Sequence, residues 1–349
     1  MHVVQYAGAV FMAAAPSKDS AHLLSRLGGM TPSAAHLDRL PRAIQAVVDK
    51  DRLEIEETIR QADILPAASS VALIMVSLDG VMTPMKDAPR IPGLKKDDVG
   101  PKGHKEAACA TVSLFDQNGD RLHTIRFGRM PESKKPTLQQ QLKDELQHVL
   151  TRYPLAKVQA VADGAEENWR ILSEIALGLG IEMEKTLDYY HAMEYVAEAF
   201  KLATGKDTQA ETKYWGEVLR TEPNGVESLI AAIESRVNLA KGETQEKIQK
   251  KLNYIVNHKD MMPYAQLLAA KKPIGSGIQE AACKTLVSQR MKNSGMTWSQ
   301  AGGQAIITLR GFYQSERWDN AWKVLRYEFR GDYQTDPNPS RLKAIKKAA

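Results

Sequence analysis

Apolar residues recur at helical spacing through the first 66 positions, then give way to continuous apolar runs, and later return to helical spacing. In the opening stretch, Asp19 or Ser20 is placed to cap a helix running to Leu27. Gly28-Gly29 stops it, and Thr31-Pro32 starts another with Thr31 as N-cap and Pro32 in the first helical position. The Ala-rich run from Val3 to Ala15 has His2 but no Lys or Arg before it, so it reads as a buried amphipathic helix rather than a signal peptide. That helix starts almost at Met1, which leaves room for a longer parent chain. Pro66-Ala67-Ala68-Ser69-Ser70 reads as a linker.

Strands follow. Val71–Leu78 is apolar almost throughout, as in a strand buried on both faces, and Asp79-Gly80 is expected to turn it into Val81–Met85. Residues 86–105 are polar and read as a loop. Glu106–Phe115 and Arg121–Met130 form a hairpin around Asn118-Gly119. Thr137 can cap a helix with Leu138, Leu142, Leu146 and Val149 on one face. Then come a short strand, Val158–Ala162, a helix from about Glu166, a strand Glu184–Leu187, and a helix through His191 to about Leu202. Three antiparallel strands, a helix, then alternating strands and helices is the order of a ribonuclease-H-like mixed α/β sheet.

Residues 206–272 carry helical patterns and read as an insertion, with Ile248, Leu252 and Ile255 on one stripe. The final helices bring Trp318, Trp322, Leu325 and Phe329 to one core-facing stripe. The expected organisation is an N-terminal helical segment (1–66), a catalytic core in two parts (67–205 and 273–330), the insertion between them (206–272), and a basic tail (331–349).

Charge adds little. Lys+Arg 47 against Asp+Glu 42 gives net +5, which permits nucleic-acid binding without demonstrating it. The helix–turn–helix outline of the N-terminal segment, with Arg39 and Arg42 on its second helix, fits a DNA reader or a plain helical hairpin. Lys247, Lys250 and Lys251 in the insertion fit either a solvated face or DNA backbone contact, and Arg290 is a further candidate contact. Two distant cysteines, Cys109 and Cys283, build neither a zinc site nor a disulfide framework, so a reducing cytoplasm is expected. No apolar run is long enough to span a membrane.

The candidate chemistry is acidic. Asp79 ends the first apolar run, Asp163 ends the Val158–Ala162 strand, and Glu280 lies in the first turn of a helix opened by Gly275-Ser276-Gly277. Two strand-end carboxylates and one on a late helix can hold two divalent ions, which clamp the attacking and leaving oxygens of a phosphodiester. Each acid has a plainer explanation too. Asp-Gly is common in turns, Asp163 suits a helix N-cap, and Ser276 with Gln279 fits a capping box beside Glu280. Lys284, one turn beyond, can pair with Glu280 or reach a phosphate; His191 can carry a proton, donate to a phosphate, or serve structure; Glu106 is the reserve acid.

Several segments together resemble a known family: Val76-Ser77-Leu78-Asp79-Gly80-Val81-Met82, Val161-Ala162-Asp163-Gly164-Ala165, Leu187-Asp188-Tyr189-Tyr190-His191-Ala192, and Gly275 through Lys284. Ser294-Gly295-Met296-Thr297-Trp298-Ser299 and Arg317-Trp318-Asp319 continue the match. They are similar to bacterial insertion-sequence transposases of the ISKra type, and more distantly to Mutator-like transposases. The resemblance implies a DDE core with Asp79, Asp163 and Glu280 as catalytic, metal-binding acids and two Mg²⁺ or Mn²⁺ ions. It matches Asp188 and His191 to an aspartate-two-residues-histidine motif. It implies double-stranded DNA as partner (terminal inverted repeats and target), a homo-oligomer on DNA, and a nucleoid-associated protein. Two other readings stay open: a nuclease of the same fold that cuts without joining, and a non-catalytic DNA-binding derivative.

Overall fold

The computed structural model describes residues 8–10, 12–27, 32–86, 103–206 and 208–325. They divide into two compact units. One comprises 65–83 and 104–289; the other draws on 1–64, 84–103 and 290–349.

The first unit is built on a five-stranded sheet. Its strands are β1 (Leu73–Met85), β2 (Gly103–Phe115), β3 (Arg121–Arg129), β4 (Lys157–Ala162) and β5 (Glu184–Leu187), in the order β3-β2-β1-β4-β5. β2 and β3 are antiparallel, whereas β1, β4 and β5 are mutually parallel. This mixed sheet has ribonuclease-H-like topology. Asp79-Gly80 does not turn the chain: β1 runs through it without a break. The hairpin does form at Asn118-Gly119, where Gly119 takes φ +84° and Asp116 accepts the Asn118 and Asp120 N–H groups. A residue with a side chain would be strained at that φ.

Period-two alternation decides which side chain goes where. Ile74, Val76 and Leu78 of β1 enter the main core with Ala108, Ala110, Val112 and Leu114 of β2. Helices α4 (Pro136–Arg152) and α5 (Glu166–Leu179) cover that core with Leu138, Leu142, Leu146, Val149, Ile171 and Leu172. The intervening positions Leu73 and Met75 join Val161 on the other face, against Ile278. α4 is not capped by Thr137: Lys135 holds the N-cap position and Pro136 opens the helix, while Glu132 accepts from the Thr137 N–H. The expected linker contains a short 3₁₀ turn, Ala68–Ser70, and the Tyr153 hydroxyl donates to the Pro66 carbonyl at 2.8 Å.

After β5 come α6 (Tyr189–Thr204), α7 (Gln209–Thr221), α8 (Gly225–Leu239), α9 (Gly242–His258) and α10 (Tyr264–Ala269). Ile248, Leu252 and Ile255 of α9 are buried in a second core with Val196, Phe200, Leu229 and Ile233. Among the described residues, no strand lies between 206 and 272. Helix α11 (Gly277–Ala282) then widens into a π-helical stretch, Cys283–Ser288.

In the second unit, α1 (Ser17–Leu27), α2 (Ala34–Lys50) and α3 (Arg52–Gln61) precede α12 (Gln300–Gln314) and a helix over 318–325. α1 starts at Ser17, ahead of the expected caps Asp19 and Ser20. α2 is capped by Ser33, which accepts the His36 N–H at 3.1 Å; Thr31 lies outside the described residues, as do Gly28 and Gly29. Leu40, Ile44, Val48, Ile55 and Ile59 bury against Leu309, Trp318, Ala321 and Leu325. Trp318 and Leu325 are therefore core, as their spacing predicts; Phe329 lies outside the described residues.

Candidate active site

Asp79 sits on β1 two residues beyond Ser77, on the face of Met75 that Ile278 covers. β1 and β4 are parallel neighbours with Val76 opposite Ala160. Three residues further along are Asp79, still within β1, and Asp163, just past the end of β4, so the two acids occupy matching positions beyond the paired register. Burial pushes the Asp79 carboxyl above its ordinary range; the Gly80 N–H pulls it down, and the charges of Asp163 and Glu106 push it up again. Its Oδ1 accepts from Gly80 N at 2.6 Å, and the Cys283 thiol stands 3.7 Å from its Oδ2.

Asp163 is held from the other side. Its Oδ1 accepts from Ala165 N at 3.2 Å and from Asn168 Nδ2 at 3.0 Å. The same Asn168 amide reaches the Leu78 carbonyl at 3.4 Å, bracing β1 to the turn that follows β4. Glu106 of β2 stands over Gly80: a Cβ on Gly80 would lie 2.3 Å from its carboxylate. It is paired with Lys135 at 2.7 Å, and Lys135 also meets Glu167 at 3.1 Å.

Glu280 is in α11 but exposed. The capping box expected around it is absent. The Ser276 hydroxyl donates instead to Asp188, and the buried Gln279 amide donates to the Cys109 carbonyl at 2.9 Å. Both side chains find stronger calls on them across the fold than the helix end offers. Among the described residues, no three His, Cys, Asp or Glu side chains stand together as a metal cluster. Asp79 and Asp163 are thus within reach of each other's charge, with Glu106 also acting on Asp79, while Glu280 lies three residues before Cys283, whose thiol meets Asp79. The donor chemistry nevertheless fits a hard divalent cation: oxygen ligands, and a repulsion between carboxylates that a cation would relieve.

The other expected residues have varied surroundings. Asp188 is buried and caps α6, its Oδ1 accepting from Tyr190 N at 2.8 Å. His191 lies 3.5 Å from Glu194 and edge-on to Tyr195. Lys284 is exposed. Arg39 is exposed, donating to Ala35 of its own helix, and Arg42 and Lys250 are exposed as well. Lys247 pairs with Glu243, whereas Lys251 is tied to Glu198 and lies 4.3 Å over the Tyr195 ring. Arg290, expected to contact DNA, is 4% exposed. It stacks on Trp298 and donates to the Met12 carbonyl, and burial lowers its pKa to about 10, so it is an interior group.

Sequence reasoning missed four residues around the acids: Lys135, Glu167, Asn168 and Tyr254. Asn168 lies five residues beyond Asp163, a spacing that first-turn helix geometry could have flagged. Lys135 and Tyr254 are far away in sequence and left no local signal. Tyr254 comes from α9; its hydroxyl is buried beside Gly164, and its ring stacks on Tyr195 at 3.6 Å.

No protein-family model and no curated protein matches the chain. Among solved structures it is similar to a Drosophila P element transposase strand transfer complex at 12% identity. That likeness covers 94% of this chain and 81% of the other, with a TM-score of 0.34.

Proposed function

We propose that the protein is a DDE transposase of the ISKra type, cutting DNA and joining the freed 3′ end to a target. The observation that carries this reading is the placement of Asp79, within β1, and Asp163, just past β4, at matching positions beyond the parallel pairing of these two adjacent strands. The four motif segments around Asp79, Asp163, Asp188 and Glu280 support it. Asp79 and Asp163 would hold divalent cations, with Glu280 brought in from the start of α11. Bound Mg²⁺ or Mn²⁺ would activate the attacking oxygen and stabilise the leaving one. The chain's own groups prepare that chemistry. Asn168 fixes the orientation of Asp163, the Gly80 N–H fixes that of Asp79, and Lys135 offsets Glu106 and Glu167.

The non-catalytic reading draws on a specific observation as well, the exposure of Glu280. One experiment separates the readings. Purified protein is incubated with DNA from the ends flanking its coding region, a target plasmid and Mg²⁺. Cleaved ends joined to target support the transposase; cleavage without joining supports the nuclease; binding without either supports the non-catalytic derivative. Loss of cleavage in Asp163→Asn, with folding and DNA binding retained, ties the activity to this site.

A further inference from the structure

We propose that Lys135 is a resident counter-cation of the acidic centre, a positioning residue that sets how tightly the centre takes up divalent ions. The inference rests on the reading of Asp79 and Asp163 as cation ligands.

Lys135 lies 33 residues before Asn168 in sequence yet meets its side chain, the Lys135 ammonium donating to Asn168 Oδ1 at 3.4 Å. The same ammonium pairs with Glu106 at 2.7 Å and Glu167 at 3.1 Å. Its side chain is 9% exposed, whereas both glutamates are more than 40% exposed. A lysine so deeply placed is costly unless its charge is matched, and here two carboxylates match it. Burial works against the ammonium, but Glu106 and Glu167 outweigh burial and hold its pKa above the usual lysine value, so it is charged throughout the neutral range.

The backbone is also shaped for this placement. Lys134 and Lys135 take φ +59° and +52°, two successive residues in the left-handed region, immediately before Pro136 starts α4. A non-glycine residue is strained there and persists when its surroundings fix it. The left-handed pair turns the chain into α4 and leaves the Lys135 side chain against Glu106, Glu167 and Asn168. From there Lys135 acts on the acids by two routes. Its charge lowers the negative potential that Glu106 and Glu167 would otherwise impose on Asp79 and Asp163. Its hydrogen bond holds the Asn168 amide, whose nitrogen is turned to Asp163 and Leu78.

A purely structural lysine and a counter-cation differ in what their loss does to ion binding. Lys135→Met keeps the length of the side chain but releases two carboxylates from their partner. The metal-free centre becomes more negative, so Mn²⁺ titrated by electron paramagnetic resonance should bind about tenfold more tightly than in the parent. Glu106→Gln is the opposite change: it removes one of the two negative charges and leaves the ammonium matched by Glu167 alone. It should weaken Mn²⁺ binding several-fold, and it keeps the test open should Lys135→Met fail to fold. The double variant should return towards the parent affinity. Unchanged or weaker Mn²⁺ binding in a folded Lys135→Met protein overturns the proposal, as does Glu106→Gln binding Mn²⁺ like the parent. If the parent itself binds no Mn²⁺ and cuts no DNA, the functional reading fails first, and that result is distinguishable from a parent that binds while the variants do not shift.

Discussion

The Tyr254 hydroxyl stands directly against Gly164, the residue that follows Asp163: a Cβ on Gly164 would lie 2.4 Å from that oxygen and 2.7 Å from the ring carbon bearing it. Tyr254 belongs to α9, deep in the helical segment between 206 and 272, and Gly164 to the loop after β4. The helical segment between 206 and 272 therefore touches the turn that follows Asp163. The hydroxyl is buried, and burial with Tyr195 and the charges of Asp163 and Asp188 raises its pKa against the pull of the Gly164 N–H, so it stays protonated.

The contact predicts a measurable coupling. Gly164→Ala forces the tyrosine ring aside and should destabilise by roughly 1–3 kcal/mol, the usual cost of overpacking. Tyr254→Ala opens the space, so the double variant should be less unstable than the sum of its parents by more than about 0.5 kcal/mol. Urea denaturation of the four proteins measures this directly. Additive losses would mean that the two residues do not press on each other.

Asp79 and Asp163 are legible in sequence because each carboxylate follows a run of mostly apolar residues, where it is expensive without a partner; Asp163 does follow the last residue of β4, whereas Asp79 lies within β1, which continues to Met85. The helical nature of 206–272 is legible for a similar reason: Ile248, Leu252 and Ile255 fall on one stripe and are all buried. What sequence could not supply was partner choice. Ser276 and Gln279 have the spacing of a capping box, yet Asp188 and the Cys109 carbonyl, 88 and 170 residues away, claim their side chains. Arg290 looks like any basic residue on a helix, and its burial depends on Trp298 and Met12. The Asp-Gly at 79–80 has turn chemistry, yet β1, with β2 beside it in the sheet, continues through it to Met85.

Asp79 makes the metal-free protein sensitive to pH in a definite direction. Its carboxyl is raised above the ordinary 3.8, first by burial and then by Asp163 and Glu106. A group raised in the folded state gives stability that is fully present below its unfolded pKa and lost as pH rises through its folded one. At neutral pH the ionised Asp79 is therefore a burden on the fold. Asp79→Asn keeps the acceptor oxygen for the Gly80 N–H while removing the charge. In the presence of a chelator it should melt at higher temperature than the parent at pH 7, with the gain shrinking towards pH 4. Adding Mg²⁺ should stabilise the parent and leave the variant where it was. A variant less stable than the parent at pH 7 would show that the Asp79 charge is already compensated within the fold.

Glu280 poses the sharpest test of the proposed chemistry, because its position supplies a structural reason for its presence without calling on a metal. It lies in the first turn of α11, where a carboxylate gains from the helix dipole, and it is exposed. Glu280→Gln removes that interaction and little else. The loss in stability should be at most about 1 kcal/mol, and less at high salt. Catalysis should respond very differently. If α11 delivers Glu280 to Asp79 and Asp163 when DNA and Mg²⁺ are present, the amide supplies no anionic ligand, and cleavage should fall by about 10²-fold or more, equivalent to roughly 2.7 kcal/mol of transition-state stabilisation. DNA binding and the melting curve should hardly move. The assay is Mg²⁺-dependent cleavage of the flanking-end DNA, run beside a binding titration on the same variant. Cleavage close to that of the parent would remove Glu280 from the centre. Glu106, already beside Gly80 and within electrostatic reach of Asp79, would then be the third acid to test.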